Sequence, residues 1–516
     1  MIRRFGFREA VVSLIPPVVL WSGTGLVIFW VMWPYFYYVK SEHVLLLGIF
    51  TLWRYAWALL NYVRAWIYRR FRYPRLWRAI RELPPERRHP DHLFVMVMSY
   101  REEPWVTVET FQALFRELAA IPSRATVVVA TGGPEDDAVI ATVYDTHPVR
   151  DKVELVIQHQ AHGKRVAMGH ALRAIARRYD GDPDSVTVFM DGDSWLAPGT
   201  LARVLPFFRR FPRLGALTTN EVAHVRTGSP WYRDWFNLKF GQRHVHFQSQ
   251  ALSWKVLTLT GRFSVFRTAA VVEEDFVRRV EVDTVAHWRH GRIRFLMGDD
   301  KSTWFHLLAR GWDMLYLPDV TVHSLESRRA SFLEVSLQLM YRWYGNTLRN
   351  HRRALALGPR RVGWFIWYAI LEQRLSMWTA LVGLVGATLL TLFKSFVYLP
   401  FYVGYVLLVR SVQMSAIALG GHPVTFLTLP LMLYSQWVGA VVKIRAWYHL
   451  DDQRWAKGGR TQRTAATGRH PRGRRAFATW SMVLAWIAFL FVMALAQKVI
   501  RLPPPELVVA SLTLAS

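Results

Sequence analysis

The chain has 516 residues, of which 52% are hydrophobic, and its formal net charge is +28. It contains no cysteine, which excludes disulfide bonds, thiolate zinc sites and cysteine nucleophiles. Its arginines gather at the edges of apolar segments and not in a nucleic-acid-binding motif, so we assign most of the charge to the cytoplasmic side of a membrane protein and expect no nucleic acid partner.

Residues 1–70 are predicted to form an N-terminal membrane region. Apolar segments cover about 11–33 and 44–67, and each is near the ~20 residues that a transmembrane helix needs. The basic start MIRRFGFR precedes the first segment, and no small-residue cleavage site follows it. We therefore interpret both segments as retained spans and not as a signal peptide, with the N-terminus in the cytoplasm.

Residues 71–328 have the pattern of a soluble α/β domain. The β-rich runs HLFVMVMSY, RATVVVATGG, KVELVIQ and SVTVFMDGD alternate with helical stretches such as VTVETFQALFRELAAI. This alternation predicts βαβ units on a parallel sheet, in which ligands bind beyond the carboxyl ends of the strands. Interfacial amphipathic helices are predicted to follow at 329–372.

Hydrophobicity returns in 373–516, the predicted C-terminal membrane region. Its apolar segments lie at about 376–393, 398–418, 426–442 and 480–499. Four crossings would place the most basic loop, 447–475, outside the cell, against the usual charge bias. We therefore expect 423–448 to lie flat in the cytoplasmic interface, which leaves about three spans here and about five in the chain.

Two motifs suit a metal and a diphosphate. Asp191 and Asp193 end an apolar strand two residues apart, so they lie on one face. Such a pair can hold a divalent metal, Mg²⁺ or Mn²⁺, that also binds diphosphate, although pairs of aspartates are common in solvated loops as well. Lys164 and Arg165 open a helix in AHGKRVAMGHAL, where two cations and free backbone amides suit phosphate. An ordinary basic first turn explains this second pattern equally well.

Two strand ends carry candidate nucleoside ligands. Tyr100 and Glu102 follow the first strand in VMSYREEPW, and Asp136 follows the second in ATGGPEDD. Charged and aromatic side chains at these positions can contact a nucleoside. Glycine next to proline also indicates a simple turn, so both interpretations stay open.

The stretch FLMGDDKSTW places Asp299 and Asp300 side by side before Lys301. Neighbouring carboxylates raise each other's pKa, which suits a base that takes the proton of an attacking hydroxyl group. Lys301 is placed to offset their charge or to contact phosphate. Acids are also favourable at the positive end of a helix, so the stretch equally predicts a helix start.

The last motif lies in SLQLMYRWYGNTLRNHRR. Gln338 and Arg342 are four residues apart on one helical face, with Trp343 beside them. Aromatic rings stack on sugars, while glutamine and arginine bind hydroxyl and phosphate oxygens. Taken alone, the pattern is typical of an amphipathic interfacial helix.

Together the motifs resemble those of the processive membrane glycosyltransferases of family 2, which include the cellulose, hyaluronan and alginate synthases. That family carries DxD, an acidic pair that ends in the base, and QxxRW, which stand here as DGD, GDD and QLMYRW. The resemblance covers nearly the whole chain. It implies a cytoplasmic GT-A-type domain with a mixed, mostly parallel sheet, inserted between transmembrane helices. GDDKSTWF, VHSLES and the total length are most similar to the alginate synthases, which polymerise mannuronate from GDP-mannuronic acid.

The resemblance also implies residue roles. Asp191 and Asp193 would bind metal and diphosphate, and Asp300 would be the general base, with Asp299 beside it. The residues of QLMYRW would bind the diphosphate and the acceptor sugar.

Four further residues match positions in the family to which the three motifs assign no role. Lys301, His323 and Glu326 match positions typical of the alginate branch, to which we assign no definite role. Gly261 lies in TLTGRFSVFR, where the family has an acceptor-side loop.

Three features depart from the relatives. TGG follows the second strand where uridine-using enzymes often carry an aspartate, which agrees with a different base. The loop WAKGGRTQRTAATG stands where relatives have a gating loop but lacks their FxVTxK pattern. After the last span only PPPELVVASLTLAS follows, so we expect cyclic di-GMP control to come from a co-polymerase partner subunit.

The resemblance implies an inverting, processive β-1,4-polymannuronate synthase in the bacterial inner membrane, which moves the anionic chain through its spans. The alternative is a hyaluronan-, cellulose- or chitin-like synthase that uses a UDP-sugar, and the three motifs disfavour a transporter or scaffold that only binds nucleotide sugars. A basic tunnel entrance would favour a polyuronate. Arg374 and Lys394 are candidates for it, although lipid-interface anchors explain both residues equally simply.

Overall fold

The computed structural model describes residues 7–159, 162–294, 296–327, 331–457, 460–463 and 472–500. An α/β domain lies in the middle of the chain, and long apolar helices precede and follow it. Helix α1 (Phe7–Val27) continues through a π-helical turn and a 3₁₀ turn to Tyr38. Helix α2 (Ser41–Ile67) follows and leads through a second π-helical turn into α3 (Tyr73–Arg81).

One sheet of eight strands forms the centre of the α/β domain. Its members are β1 (His92–Met98), β2 (Arg124–Thr131), β3 (Val153–His159), β4 (Val186–Asp191), β5 (Ser194–Leu196), β6 (Leu214–Thr227), β7 (Phe263–Arg267) and β10 (Asp313–Ser327). Two hairpins stand apart from it: β8 (Val285–His287) with β9 (Gly291–Ile293), and β11 (Arg454–Lys457) with β12 (Arg460–Arg463).

The order of strands across the sheet is β3-β2-β1-β4-β7-β6-β10-β5. The four β-rich runs predicted from the sequence form β1 to β4, which pair in parallel. The sheet is mixed because β7 runs antiparallel to both of its neighbours, while β6 and β10 are again parallel. The predicted mixed, mostly parallel sheet is therefore confirmed.

Helices cover both faces of this sheet, as parallel strands with continuous apolar runs require. The domain helices are α4 (Pro104–Ala119), α5 (Pro134–Asp145), α6 (Lys164–Ala176), α7 (Thr200–Val204), α8 (Pro206–Arg210), α9 (Pro230–Ala251), α10 (Thr268–Val271), α11 (Glu274–Glu281) and α12 (Asp299–Arg310). Five consecutive residues of β1 are buried, and they pack with large buried rings such as Phe111 and Phe189 in one core.

The chain then continues in helices. They are α13 (Phe332–Leu355), α14 (Pro359–Val362), α15 (Trp364–Phe393), α16 (Tyr398–Leu419), α17 (Thr428–Tyr448) and α18 (Arg472–Ala496). Within the described ranges, four helical segments are long and apolar enough to cross a membrane: Val11–Tyr38, Trp364–Phe393, Tyr398–Leu419 and Ala476–Ala496.

The predicted second span and the predicted in-plane segment correspond to α2 and α17, and neither is among those four. The second span and the in-plane segment therefore stay predictions. The division of the chain at 70, 328 and 372 and the count of about five spans stay predictions. Residues 458–459 and 464–468 of the predicted gating loop, 455–468, lie outside the described residues.

Strand register determines what meets at the carboxyl edge of the sheet. Met98 pairs with Asp191, so β1 and β4 end together. Met190 pairs with Phe263 in the antiparallel β7, which brings the segment before β7 back to the end of β4. The amide of Asp191 donates to the carbonyl of Arg262 at 3.4 Å. The predicted acceptor-side loop therefore borders the DGD motif.

Candidate active site

One lysine joins the two acidic motifs at this edge. Nζ of Lys164, at the start of α6, lies 2.7 Å from Oδ1 of Asp191 and 2.9 Å from Oδ2 of Asp299. Asp191 ends β4 and Asp299 begins α12, so three separate elements meet at a single ammonium group. All three side chains are only partly accessible, with 30%, 28% and 15% exposure in the order Lys164, Asp191, Asp299. The DGD and GDD motifs therefore form one site.

Two glycines allow this close approach. A Cβ atom added to Gly261 would lie 3.1 Å from Oδ2 of Asp191 and 3.5 Å from Nζ of Lys164, so the bare backbone leaves room beside that carboxylate. A Cβ atom added to Gly192 would lie 2.8 Å from the backbone of Ser99, closer than real contacts allow. Glycine at 192 thus lets the DGD turn pass against the end of β1. The structure brings the predicted Gly261 to the site.

The two acids of GDD differ in their electrostatics. Burial raises the pKa of Asp300, and the negative charge of Asp299 raises it further. Burial alone would also raise the pKa of Asp299, but the ammonium group of Lys164 outweighs it, and the net shift is downward. The sequence predicted that each acid would raise the pKa of the other, and this holds for Asp300 only. Asp299 is therefore the ionised partner of Lys164, and Asp300 is the stronger base of the pair.

Lys301 points toward the acceptor-side loop. Its Nζ donates to the carbonyl oxygen of Leu257 at 2.6 Å and to the hydroxyl group of Thr258. Burial lowers the pKa of Lys301 to about 8. The side chain thus fixes the backbone that leads to Gly261, and its ammonium group is engaged there and not with a phosphate-facing position.

The side chain of Arg165 points away from that of Lys164, although the two residues are adjacent in sequence. Its buried guanidinium donates to the carbonyl oxygens of Leu296 at 2.7 Å and Arg279 at 2.6 Å, and to the hydroxyl group of Ser302 at 3.2 Å. These bonds join α6 to the end of α11 and to the segment that carries GDD. The phosphate contact expected from its position in the sequence is replaced by this internal bonding, because neighbouring helical residues face different sides.

The predicted nucleoside ligands form a compact turn at the ends of β1 and β2. The ring of Tyr100 covers Gly132, where an added Cβ atom would lie 2.9 Å from the ring. Oδ2 of Asp136 accepts from the amides of Arg101 at 3.0 Å and Gly132 at 3.3 Å, so this carboxylate ties the two strand ends together. Glu102 is half-buried in the same turn, next to the start of α4. The structure thus favours the turn interpretation for Asp136 and keeps Tyr100 and Glu102 at the strand edge.

A buried ionic network lies on the other side of the DGD motif, and the sequence did not predict it. The side chain of Glu221 in β6 is fully buried and pairs with Arg243 of α9 at 2.5 Å and Arg262 at 3.5 Å. Arg262 also donates to Glu326 at 2.9 Å and to Ser324 at 2.7 Å. Glu326, one of the predicted residues, therefore belongs to the framework of the acceptor-side loop. The available signal was an acid in the middle of a long strand, β6.

His323 lies on β10 beside β5, which directly follows the DGD motif. Its Nδ1 is 2.8 Å from Nε2 of His224, and its ring centroid is 5.1 Å from that of Trp195. Burial, with a smaller contribution from His224, lowers the pKa of His323 to about 3, so the imidazole is neutral. The backbone of the neighbouring Leu325 donates to the carbonyl oxygen of Asp193 at 2.8 Å, which holds the DGD turn against β10.

The QLMYRW residues lie on α13. Three residues separate Gln338 from Arg342, one more than in QxxRW, and the buried Leu339 occupies the place that this motif gives to glutamine. Gln338 is exposed and donates to Glu334 on its own helix at 3.2 Å. The ring of Trp343 stacks on that of Trp235 at 5.4 Å, with 7° between the planes. The segment therefore departs from QxxRW by one inserted residue, and its Trp343 packs against α9.

Few side chains at this site could bind a metal ion. Among the described residues, no group of three or more His, Asp and Glu side chains is arranged to hold a metal ion. Mg²⁺ in nucleotide-dependent enzymes is bound by one or two carboxylates together with substrate phosphates. Asp191 and Asp193 supply that number of carboxylates. The residues present therefore fit a metal that arrives with a diphosphate and do not fit a closed protein cage.

Comparisons with known proteins show which family the chain is similar to. The family described as "Glycosyltransferase like family 2" matches residues 90–346. A protein of Pseudomonas syringae pv. tomato named "Glycosyltransferase alg8" is 37% identical over 420 residues, which cover 81% of this chain and 85% of that protein. A protein of the same name from Azotobacter vinelandii is 35% identical over 428 residues, with the same two coverages. The solved mannosyltransferase PcManGT from Pyrobaculum calidifontis, in complex with GDP-Man and Mn²⁺, superposes with a TM-score of 0.44 and 17% identity over 70% of this chain and 96% of that chain.

Proposed function

Because this chain belongs to glycosyltransferase family 2, and is a membrane glycosyltransferase similar to the alginate synthases, we propose that it polymerises mannuronate from GDP-mannuronic acid. The product is β-1,4-polymannuronate, and the enzyme adds sugars to a chain that it retains. The observation that carries the proposal is the joining of Asp191 and Asp299 by Lys164, since it unites a diphosphate-binding motif with a base-bearing motif.

The donor diphosphate binds at the end of β4. Lys164 offers a positive charge beside Asp191, and the open backbone at Gly261 leaves space next to the same carboxylate. Asp191 and Asp193 would hold a divalent metal, Mg²⁺ or Mn²⁺, which neutralises the charge that develops on the leaving diphosphate. The nucleoside lies along the ends of β1 and β2, beside Tyr100 and Glu102.

Asp300 acts as the general base. It removes the proton from the acceptor hydroxyl group, and that oxygen forms a bond to the anomeric carbon of the donor sugar. The bond from the anomeric carbon to the diphosphate oxygen breaks at the same time, its electron pair leaves with GDP, and the configuration inverts. The raised pKa of Asp300 suits this step, since a base is most effective when its pKa is near the working pH.

The acceptor end of the polymer lies against the segment before β7. The ionic network of Glu221, Arg243 and Arg262 fixes that segment from one side, and Lys301 fixes it from the other. This rigidity holds the acceptor hydroxyl group near the base, which is how positioning contributes to rate. Gln338 and Arg342 extend the acceptor and diphosphate contacts from α13, with Trp343 as a stacking surface.

The cellular arrangement follows from the same proposal. The enzyme lies in the bacterial inner membrane with its α/β domain in the cytoplasm, where the basic loops concentrate. The growing anionic chain leaves through the apolar helices. A co-polymerase subunit with a cyclic di-GMP-binding domain supplies the regulation.

A donor assay tests the proposal. Membranes that contain the full-length chain, with and without the co-polymerase, are incubated with GDP-mannuronic acid and separately with UDP-sugars. We expect polymer with GDP-mannuronic acid only, and we expect a mannuronate-specific lyase to degrade it. Polymer from a UDP-sugar alone would replace the proposal by the hyaluronan-, cellulose- or chitin-like alternative.

A further inference from the structure

A short connection carries the GDD motif into the active site. β9 ends at Ile293 and α12 begins at Asp299. The structure describes residues 294 and 296–298 of the stretch between them, here called the connection, and none of these residues has regular secondary structure. Asp300 lies in the first turn of α12, so the path of the connection determines where its carboxylate points. The hydrogen bonds of a helix or a sheet do not fix this path, and side chains from other elements do so instead.

Gln453 binds two positions of the connection with one side chain. Its Oε1 accepts from the backbone amide of Met297 at 3.0 Å, and its Nε2 donates to the carbonyl oxygen of Arg294 at 3.3 Å. Gln453 is 3% exposed and lies 156 positions from Met297 along the chain. An amide side chain suits this arrangement because it can accept and donate at the same time. The connection is therefore held by a residue that comes after α17 in the chain.

The residues just before Gln453 are themselves held in place. The carbonyl oxygen of Leu450 accepts from Nε of Arg349 on α13 at 2.7 Å. Nδ1 of His290, in the turn between β8 and β9, lies 3.2 Å from Oδ1 of Asp451, and both side chains are buried. A side chain whose own backbone is fixed on two sides can hold another segment in one place. Gln453 therefore extends from a rigid support.

Two other side chains hold the connection from other directions. Arg165 of α6 donates to the carbonyl oxygen of Leu296 at 2.7 Å. Asn346 of α13 packs so closely on Gly298 that an added Cβ atom would lie 2.8 Å from its side chain, closer than real contacts allow. With Gln453, side chains from three separate parts of the chain thus meet at the residues before GDD. Support from three directions leaves the connection little freedom to move.

We propose that Gln453 is a positioning residue for the reaction: its two hydrogen bonds fix the connection, and the connection directs the Asp300 carboxylate toward the acceptor hydroxyl group. Gln453 touches no substrate in this role. The inference rests on the proposed function in one respect, the assignment of Asp300 as the base. A misplacement of about 1 Å at a reacting group can lower a rate about 100-fold, so the loss of these two hydrogen bonds has a kinetic effect beyond their contribution to stability.

Gln453→Met tests the inference, since methionine has a similar length and fills the same space but cannot replace the two hydrogen bonds. The initial rate of GDP release by the full-length chain in membranes is measured against the concentration of GDP-mannuronic acid. We expect kcat to fall by at least about tenfold and KM to change less than about twofold, because the donor contacts on Asp191 and Lys164 remain.

Gln248→Met is the matched control. Gln248 is a buried glutamine on α9, and its Nε2 donates to the carbonyl oxygen of His244 in the same helix at 3.2 Å. The substitution removes the same amide group from a buried position that does not contact the connection. It should leave kcat within about twofold of the wild type.

A double-mutant cycle separates a positioning role from a general loss of stability. If Gln453 acts through Asp300, Gln453→Met should lower the residual rate of Asp300→Asn by less than about threefold, because the base that it positions is absent. A purely structural role would lower the rate by the same factor in both backgrounds. Near-normal kcat of Gln453→Met, or equal factors in the two backgrounds, would overturn the inference. If Gln453→Met does not fold, as judged by gel filtration, Gln453→Asn takes its place, since it keeps a buried amide but is too short to form both bonds.

A failure of the proposed function has a different signature. Near-normal turnover of Asp300→Asn would remove the base and, with it, the reason for a positioning residue. Polymer from UDP-sugars alone would change the donor, and the cycle would then be measured with that donor. A strongly impaired Asp300→Asn protein together with a fully active Gln453→Met protein would remove this inference and retain the base.

Discussion

Replacing Asp300 by asparagine removes the proposed base and leaves its local structure in place. Oδ1 of Asp300 accepts a hydrogen bond from the amide of Lys301 at 2.8 Å, and the amide oxygen of asparagine can accept the same bond. The change removes one negative charge from the first turn of α12, where a favourable interaction with the helix dipole is worth about 0.3–1 kcal/mol. Relief of the repulsion from Asp299 offsets part of this cost. The free energy of unfolding should therefore change little.

The expected loss of activity is much larger. General-base catalysis contributes about 10²–10⁴-fold to rate, which corresponds to about 3–5 kcal/mol of activation free energy. The donor contacts on Asp191 and Lys164 are untouched by this change. We therefore expect kcat of Asp300→Asn to fall by at least about 100-fold, while the affinity for GDP changes less than about twofold.

Two measurements separate these effects: the initial rate of GDP release from GDP-mannuronic acid, and titration of GDP into the same protein. Glu274→Gln is the matched control, since it removes one acid from a highly exposed position on α11, where Glu274 pairs with Arg278 one turn further along the same helix. Near-normal turnover of Asp300→Asn would refute the role of the base. If the affinity of Asp300→Asn for GDP fell by the same factor as its kcat, Asp300 would act in donor binding instead.

Three further predictions concern the surrounding residues. Because a base must be unprotonated, activity should fall as pH drops through the raised pKa of Asp300, at a higher pH than an ordinary aspartate would give. Lys164→Met removes the cation that lowers the pKa of both Asp299 and Asp300, so the acidic limb of a pH–rate profile should move to still higher pH. Lys164→Arg keeps the positive charge and should keep that limb nearer the wild type. Arg165→Met leaves two buried carbonyl oxygens without their donor and should lower the free energy of unfolding by about 2–5 kcal/mol. Tryptophan fluorescence on heating measures this loss. An unchanged melting temperature would contradict the hydrogen bonds described for Arg165.

The local pattern of the sequence was enough to predict the strands and their parallel pairing in the first half of the α/β domain. Apolar runs of strand length alternate there with amphipathic helices, and such units close a parallel sheet in few ways. The carboxyl ends of β1 and β4 therefore had to meet, and the register of Met98 with Asp191 confirms this. The antiparallel β7 was not predicted, because its pairing with β4 depends on segments far apart in the chain.

Long-range pairing also explains what the sequence left out of the site. Glu221 and Arg262 meet Glu326 only because β6 and β10 are neighbours, although about a hundred residues separate them. The roles expected for Arg165 and Lys301 followed from their position beside acids and a helix start. In the folded chain both side chains turn inward and support the backbone around the site. Proximity in sequence thus predicted the location of these residues and not the direction of their side chains.

A structure of the Asp300→Asn protein with GDP-mannuronic acid and Mg²⁺, determined by cryo-electron microscopy, tests the shared site most directly. We expect the diphosphate at Asp191 and Lys164, with the anomeric carbon of the sugar between that position and the side chain at 300. A donor bound away from these residues, or one that contacts Asp191 while its sugar faces away from α12, would contradict the account.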